Sequence, residues 1–273
     1  MFWLNGIVIY SFIIFSVFLS GCNPTYPVGN LTESIQKLVK KEYNLESKAS
    51  LVGNTLYLDI KLEDISSTET KKLSAMLEKL QGAVLSIVRV SLSTDAKISF
   101  MVVTAIDPVW KLGIRIIESL QDIKDYLYQK ISRGEYEGRL VMEIDIGQDG
   151  LINYTSDKEM TLNEFAGRLT VSQFNMLLRS NPFLSILLNK YELKYVSFVG
   201  SELVLTGTKN FDPQMFELAR HILVNEAEKT SKKYELIKIN TIKILDPNKP
   251  DAQPILIDIT KEIKSNKKVN FKF

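Results

Sequence analysis

The sequence predicts an α+β protein made of two tandem α-β-β-α-β modules, with a helix and a hairpin inserted between them. Three observations predict it. A hairpin signal falls at Gly53-Asn54, a second falls at Gly200-Ser201 among matching neighbours, and each leads through a helix to a strand ending in Asp-Pro. Ala49 to Leu58 aligns with Val196 to Leu205, sharing Ser, Val, Gly, Leu and Leu at an offset of 147 (200 − 53). The strands ending at Asp107 and Asp246 align at 139 (246 − 107), and a shorter second connection accounts for the lost eight residues. Agreement in the order of elements as well as in identities reads as a duplicated unit.

The elements follow in order. Ile35, Leu38 and Val39 form one stripe of a helix from about Thr32 to Tyr43. Residues 48–62 alternate on either side of Gly53-Asn54, where the positive φ of a tight hairpin turn is cheap. Ser66 and Glu69 make a capping box. Behind them Leu73, Met76, Leu77, Leu80, Val84, Ile87 and Val88 recur at helical spacing opposite Lys71, Lys72, Glu78 and Lys79, which predicts a long amphipathic helix on a sheet. Ile98 to Ile106 reads as a strand buried on both faces. Asp107-Pro108 then starts a helix running to about Arg133, with Gly134 as its stop.

Leu140, Met142, Ile144 and Ile146 alternate with Val141, Glu143 and Asp145, predicting a strand with the first set on the core and the second in water. Asp149-Gly150 turns it toward Leu151 to Tyr154. Asn181-Pro182 starts a helix through Leu188, the second hairpin follows, and Asp212-Pro213 opens the next helix. After the strand from Ile237 to Asp246, three prolines mark a loop to Pro254, and Ile255, Ile257 and Ile259 form a last strand. The domain boundaries are therefore 1–21 for an export signal, 22–31 for a tether, 32–138 for the first module, 139–180 for the connecting hairpin and helix, and 181–273 for the second module.

Gly6 to Leu19 is almost wholly apolar and leads into Leu19-Ser20-Gly21-Cys22. This resembles the lipobox of bacterial prolipoproteins. The resemblance implies cleavage before Cys22, acyl chains on its thiol, and a body held by lipid to a membrane on the extracytoplasmic side, periplasmic or at the cell surface. An uncleaved anchor is the competing expectation, because Phe2 to Leu19 reaches the roughly 18-residue length of a spanning helix and no Lys or Arg precedes the run. Cys22 is the only cysteine, so a disulfide within the chain and a multi-cysteine zinc site are excluded.

Residues 1–21 carry no charged side chain, so the remainder keeps the net charge of +2. That balance gives no electrostatic footprint for nucleic acid. The one histidine, His221, has Glu217 and Asn225 a turn away and no second histidine to join it, which excludes a histidine-based triad or metal site. Asp145 to Gly150 matches the start of a calcium loop only in part, with Gly147 at the third position and Ser156 at the twelfth. The isolated Gly82, Gly113 and Gly134 make no phosphate loop. Glu143 with Asp145 on a strand, and Glu118, Asp122 and Asp125 on one helix face, are the acidic groupings, and both read as solvated surface. Tyr126, Tyr128, Arg133 and Tyr136, with Arg139, mark a contact surface.

No catalytic residue, metal ligand or cofactor is expected. The expected function is that of a membrane-anchored envelope lipoprotein, binding an envelope protein or polymer or assembling with it. The alternative is a carboxylate-dependent hydrolase of envelope polymers. The order of elements is similar to small ring-building modules of secretion and sporulation machines, which pair sheet edges or helices with their neighbours, and to bacterial envelope lipoproteins in general.

Overall fold

A computed structural model describes residues 25–62, 70–107, 112–146, 158–180, 193–207, 213–235, 237–246 and 253–266. The expected capping box at Ser66, the expected turn at Asp149-Gly150, the expected helix from Asn181 to Leu188 and the expected export signal lie outside those residues. Among the described residues the protein is α+β, with seven α-helices and two sheets of five and four strands. None of these helices is long and apolar enough to cross a membrane.

After a 3-10 turn at Val28–Asn30, the first half runs α1 (Leu31–Tyr43), β1 (Glu46–Val52), β2 (Thr55–Lys61), α2 (Thr70–Leu92), β3 (Phe100–Asp107), β4 (Leu112–Ser119), α3 (Leu120–Leu127), α4 (Arg133–Glu137) and β5 (Val141–Ile146). The second runs α5 (Leu162–Ser180), β6 (Lys194–Val199), β7 (Glu202–Thr206), α6 (Pro213–Lys233), β8 (Thr241–Leu245), β9 (Ile255–Asp258) and α7 (Ile259–Asn266). The first sheet is ordered β1-β2-β3-β4-β5, with only β2 and β3 parallel. The second is ordered β6-β7-β8-β9, with only β7 and β8 parallel. Each parallel pair is joined across a long helix, α2 or α6, as a parallel connection requires. Both hairpins turn on a glycine with positive φ, 55° at Gly53 and 62° at Gly200, where any side chain would be strained.

The expected helix from Pro108 to Arg133 is corrected. Leu112 to Ser119 is a strand, and only Leu120 to Leu127 and Arg133 to Glu137 are helical. The β-branched Ile114, Ile116 and Ile117 fit a pleated surface between β3 and β5 better than a helix. Ser119, whose hydroxyl accepts from the Asp122 N–H at 3.4 Å, caps the helix that follows. Strand ends also shift: β3 starts at Phe100 rather than Ile98, β8 covers Thr241 to Leu245 rather than Ile237 to Asp246, and Ile259 belongs to α7.

The first sheet is covered on both faces. Leu56, Leu58, Ile60, Met101, Val103 and Ala105 pack under Ile35 and Val39 of α1 and Leu80, Ala83, Ile87 and Val90 of α2. The opposite face, Tyr57, Phe100, Val102, Ile117 and Val141, packs against Met160 and against Phe165 and Leu169 of α5. Another side of α5, with Ala166, Val171, Phe174 and Leu178, lies in the core of the second sheet beside α6. One helix thus serves two sheets. The other face of the second sheet carries Val204, Lys243 and Leu256, and Leu256 is exposed.

The face assignment on β5 is reversed from the sequence expectation. Val141 is fully buried and Met142 exposed, because the covering helix α5 lies on the side of Val141. The same helix closes the outer edge of β5. Ser172 accepts from the Met142 N–H at 2.8 Å and donates to the Met142 carbonyl at 3.0 Å. A sheet edge otherwise offers such groups to other chains. Replacing Ser172 by Ala leaves both groups without this partner, and an equilibrium urea titration should record a loss of about 1–3 kcal/mol.

Candidate functional site

The expected contact residues gather where β4, α3 and α4 meet the end of α6. Tyr126 stacks on Tyr136, with ring centroids 4.9 Å apart and planes 10° apart. The Tyr136 hydroxyl hydrogen-bonds the carboxyl of Glu118, which lies on β4 rather than on a helix with Asp122 and Asp125. Glu118 is only 6% exposed. Burial pushes its carboxyl up from 4.5 to about 7, against the opposing pull of the Tyr136 hydrogen bond. Burial also raises the Tyr136 hydroxyl, and the neighbouring Glu118 charge adds to it.

Asp122 is held differently. Arg139 Nη1 donates to Asp122 Oδ1 at 2.7 Å, and the Tyr234 hydroxyl donates to Asp122 Oδ2 at 2.6 Å. Arg139 also reaches Glu135 at 2.5 Å, and its guanidinium carbon lies 5.9 Å from the centre of the Tyr234 ring. Lys233 Nζ donates to the Gly138 carbonyl at 2.7 Å, and burial together with the Arg139 charge holds its pKa below the ordinary lysine value. Tyr234 and Lys233, at the end of α6, join from far along the chain, and no sequence spacing links residue 122 to residue 234. At this corner two buried polar atoms, Glu118 Oε2 and Arg139 Nε, have no hydrogen-bond partner among the described residues.

Beyond this closed interior the surface is open. Tyr128 is 72% exposed beside exposed Leu127, and Arg133 pairs with Glu137 across a helical turn at 2.7 Å. Asp125 is held by Lys130 and Gln121, the Lys130 hydrogen bond being the main reason its pKa is lowered. The four expected residues therefore divide: Tyr126 and Tyr136 support the corner, and Tyr128 and Arg133 face outward.

Of the other expected acidic pair, Glu143 is also tied down. Glu143 accepts from Arg115 Nη1 at 2.8 Å and from Arg168 Nη1 at 2.7 Å, while Arg168 Nη2 bonds Glu164 at 2.9 Å. Arg168 lies over the Tyr195 ring, 4.7 Å from its centre, joining β4, β5, α5 and β6. The Asp145 side chain and the partial calcium loop through Ser156 lie outside the described residues. Among the described residues no three His, Cys, Asp or Glu side chains gather so as to hold a metal ion. His221 is half-buried on α6, away from these acidic groupings in sequence and without a second histidine.

Comparison of the chain with protein-family models, with curated proteins and with solved structures finds no match.

Proposed function

We propose that the chain is a lipid-anchored envelope protein that binds or assembles with another envelope component through the corner formed by Tyr126, Tyr128, Arg133 and Tyr136. The observation that carries the binding reading is that corner: exposed Leu127 and Tyr128 stand beside a stacked pair of tyrosines that fixes them. Tyr and Arg on a rigid support are typical anchors of protein interfaces. The carboxylates nearby are engaged in ion pairs and hydrogen bonds within the fold, which favours recognition over hydrolysis.

In this reading the body is two copies of one unit, β1-β2-α2-β3-β4-α3 and β6-β7-α6-β8-β9-α7. The support lies in matching hydrogen bonds. Asn54 O accepts from the N–H groups of Ser99 and Phe100, and Ser201 O from those of Asn240 and Thr241. Leu62 N bonds Ile106 O where Gly207 N bonds Leu245 O, and Leu120 N bonds Ser99 O where Ile259 N bonds Asn240 O. Ser119 caps α3 through Asp122 as Asp258 caps α7 through Lys261. Following these pairs, the offset falls from 147 (201 − 54) to 145 (207 − 62), then 141 (240 − 99) and 139 (258 − 119). The lost residues thus divide between both strands and the connection, rather than falling in the connection alone.

Two measurements test the proposal. Cys22→Ala should abolish acylation and move the protein from the membrane fraction to the soluble or uncleaved one; unaltered lipid labelling defeats the anchor. A photo-crosslinker at residue 128 in intact cells should capture a partner that the same probe at Lys61 does not. Adding Arg133→Ala should reduce that capture several-fold, since interface anchors each contribute roughly 1–4 kcal/mol. Equal yields at 128 and 61 defeat the contact surface.

One observation favours the hydrolase reading, the Glu118 carboxyl with a pKa of about 7. General acids are tuned in this way. Cell-wall or polysaccharide cleavage lost in Glu118→Gln but kept in Tyr128→Ala would replace binding by catalysis as the activity.

A further inference from the structure

The chain after Cys22 is pinned almost at once. Tyr26 forms a β-bridge with Thr94, and its N–H donates to the Ser93 carbonyl at 3.3 Å. Its side chain packs on the first core, and the Val28 N–H donates to Asp95 Oδ1 at 2.7 Å. Leu31, three residues further, is fully buried. Cys22 and Tyr26 are four residues apart. Even fully extended, that chain spans no more than about 14 Å.

We infer that the body does not swing freely beneath its anchor but lies against the bilayer by the end that carries Val28, Leu92 and the loop from Ser93 to Ser99. The inference rests on the lipid anchor proposed above. Two features of this end fit a lipid surface. Val28 and Leu92 are exposed aliphatic side chains on neighbouring segments, and Leu85 continues the same face of α2 two turns back. The segment Val28 to Asn30 carries no charge, and between Leu92 and Ser99 the charges are one Asp95, bonded to Val28 N–H, and one Lys97. A tether this short holds these side chains within reach of the headgroup region for as long as the acyl chains remain inserted.

The opposite end of the first sheet is the natural reference. Asn54, at the start of β2, is bonded to Ser99 and Phe100, so it lies at the anchored end. Lys61, at the far end of β2, is exposed and lies about 20 Å away along the strand.

The test uses the acylated protein in phosphatidylethanolamine–phosphatidylglycerol vesicles that contain a headgroup-nitroxide lipid. Acylation blocks the thiol of Cys22, the only cysteine, so single variants Val28→Cys, Leu92→Cys, Asn30→Cys and Lys61→Cys each take one fluorophore. Quenching at 28, 30 and 92 should be at least threefold that at 61. Equal quenching at all four sites, or stronger quenching at 61, in protein that mass spectrometry finds acylated and that floats with the vesicles overturns the orientation while leaving the anchor standing. Protein that is not acylated overturns the anchor and the orientation together.

Discussion

Stability should fall as pH rises from about 5 to 7.5, and Glu118→Gln should remove that fall. Glu118 has an ordinary value of 4.5 and about 7 when folded, because its carboxyl is buried at the rim of the first core. The folded protein therefore binds a proton more tightly than the unfolded chain. Folding is favoured by this group below pH 4.5, and the advantage is lost as pH climbs toward 7. The gap corresponds to about 3 kcal/mol, a large fraction of a typical total. Carboxylates with lowered values, Glu33, Asp125 and Asp258, act in the opposite sense, and their contributions are lost only as pH falls through the ordinary carboxylate range and below. Glutamine keeps the acceptor for Tyr136 and carries no charge to bury. At pH 8 the variant should exceed the parent by as much as about 3 kcal/mol in urea titrations. A parent whose midpoint is flat between pH 5 and 8 would remove Glu118 as a buried titrating group.

Phe165→Ala should cost about 3–5 kcal/mol, more than any other single truncation argued above. The ring is fully buried, 5.1 Å from Phe100 in the first sheet and edge-on at 5.7 Å to Tyr234 at the end of α6. Its loss opens a cavity where the first sheet, α5 and the end of α6 meet. Hydrogen exchange should then quicken in β2 to β5 at the same time as at the end of α6. Leu127→Ala, at an exposed site, should stay within about 0.5 kcal/mol of the parent. A Phe165→Ala loss below about 1.5 kcal/mol would mean that α5 is secured elsewhere.

The hairpins were legible because one glycine in each must take a conformation that other residues avoid. The buried strand β3 and the long helices α2 and α6 were legible because single apolar patterns run through them. The strand β4 was not. It follows Asp-Pro, a common helix opening, and its alternation is broken by Arg115, which is buried at 2% exposure on the same face as Ile117. An arginine reads as solvent-facing unless its partners are known, and Glu143 lies 28 positions away. The face reversal on β5 has the same origin: the residues that decide it, Phe165 and Ser172, belong to a helix that local pattern does not place.

The corner around the stacked tyrosines was partly legible. Tyr126, Tyr128, Arg133 and Tyr136 fall close together in sequence, so their clustering needed no tertiary knowledge. Glu118 was read as surface because its burial depends on Tyr136 and on the helices folded over it. Tyr234 and Lys233 join from more than ninety residues away. Long-range partners of this kind leave no periodic trace.

The helix α5 has a consequence for the order in which the chain is made. When residues up to β5 have emerged from the ribosome, the first sheet is complete in its hydrogen bonds but bare on one side, with Tyr57, Phe100, Val102, Ile117 and Val141 facing water. It stays so until Phe165 and Leu169 arrive. An N-terminal fragment ending near residue 146 is therefore a sticky intermediate, the stage at which a holdase chaperone would matter most, and the outer edge of β5 remains open for the same interval.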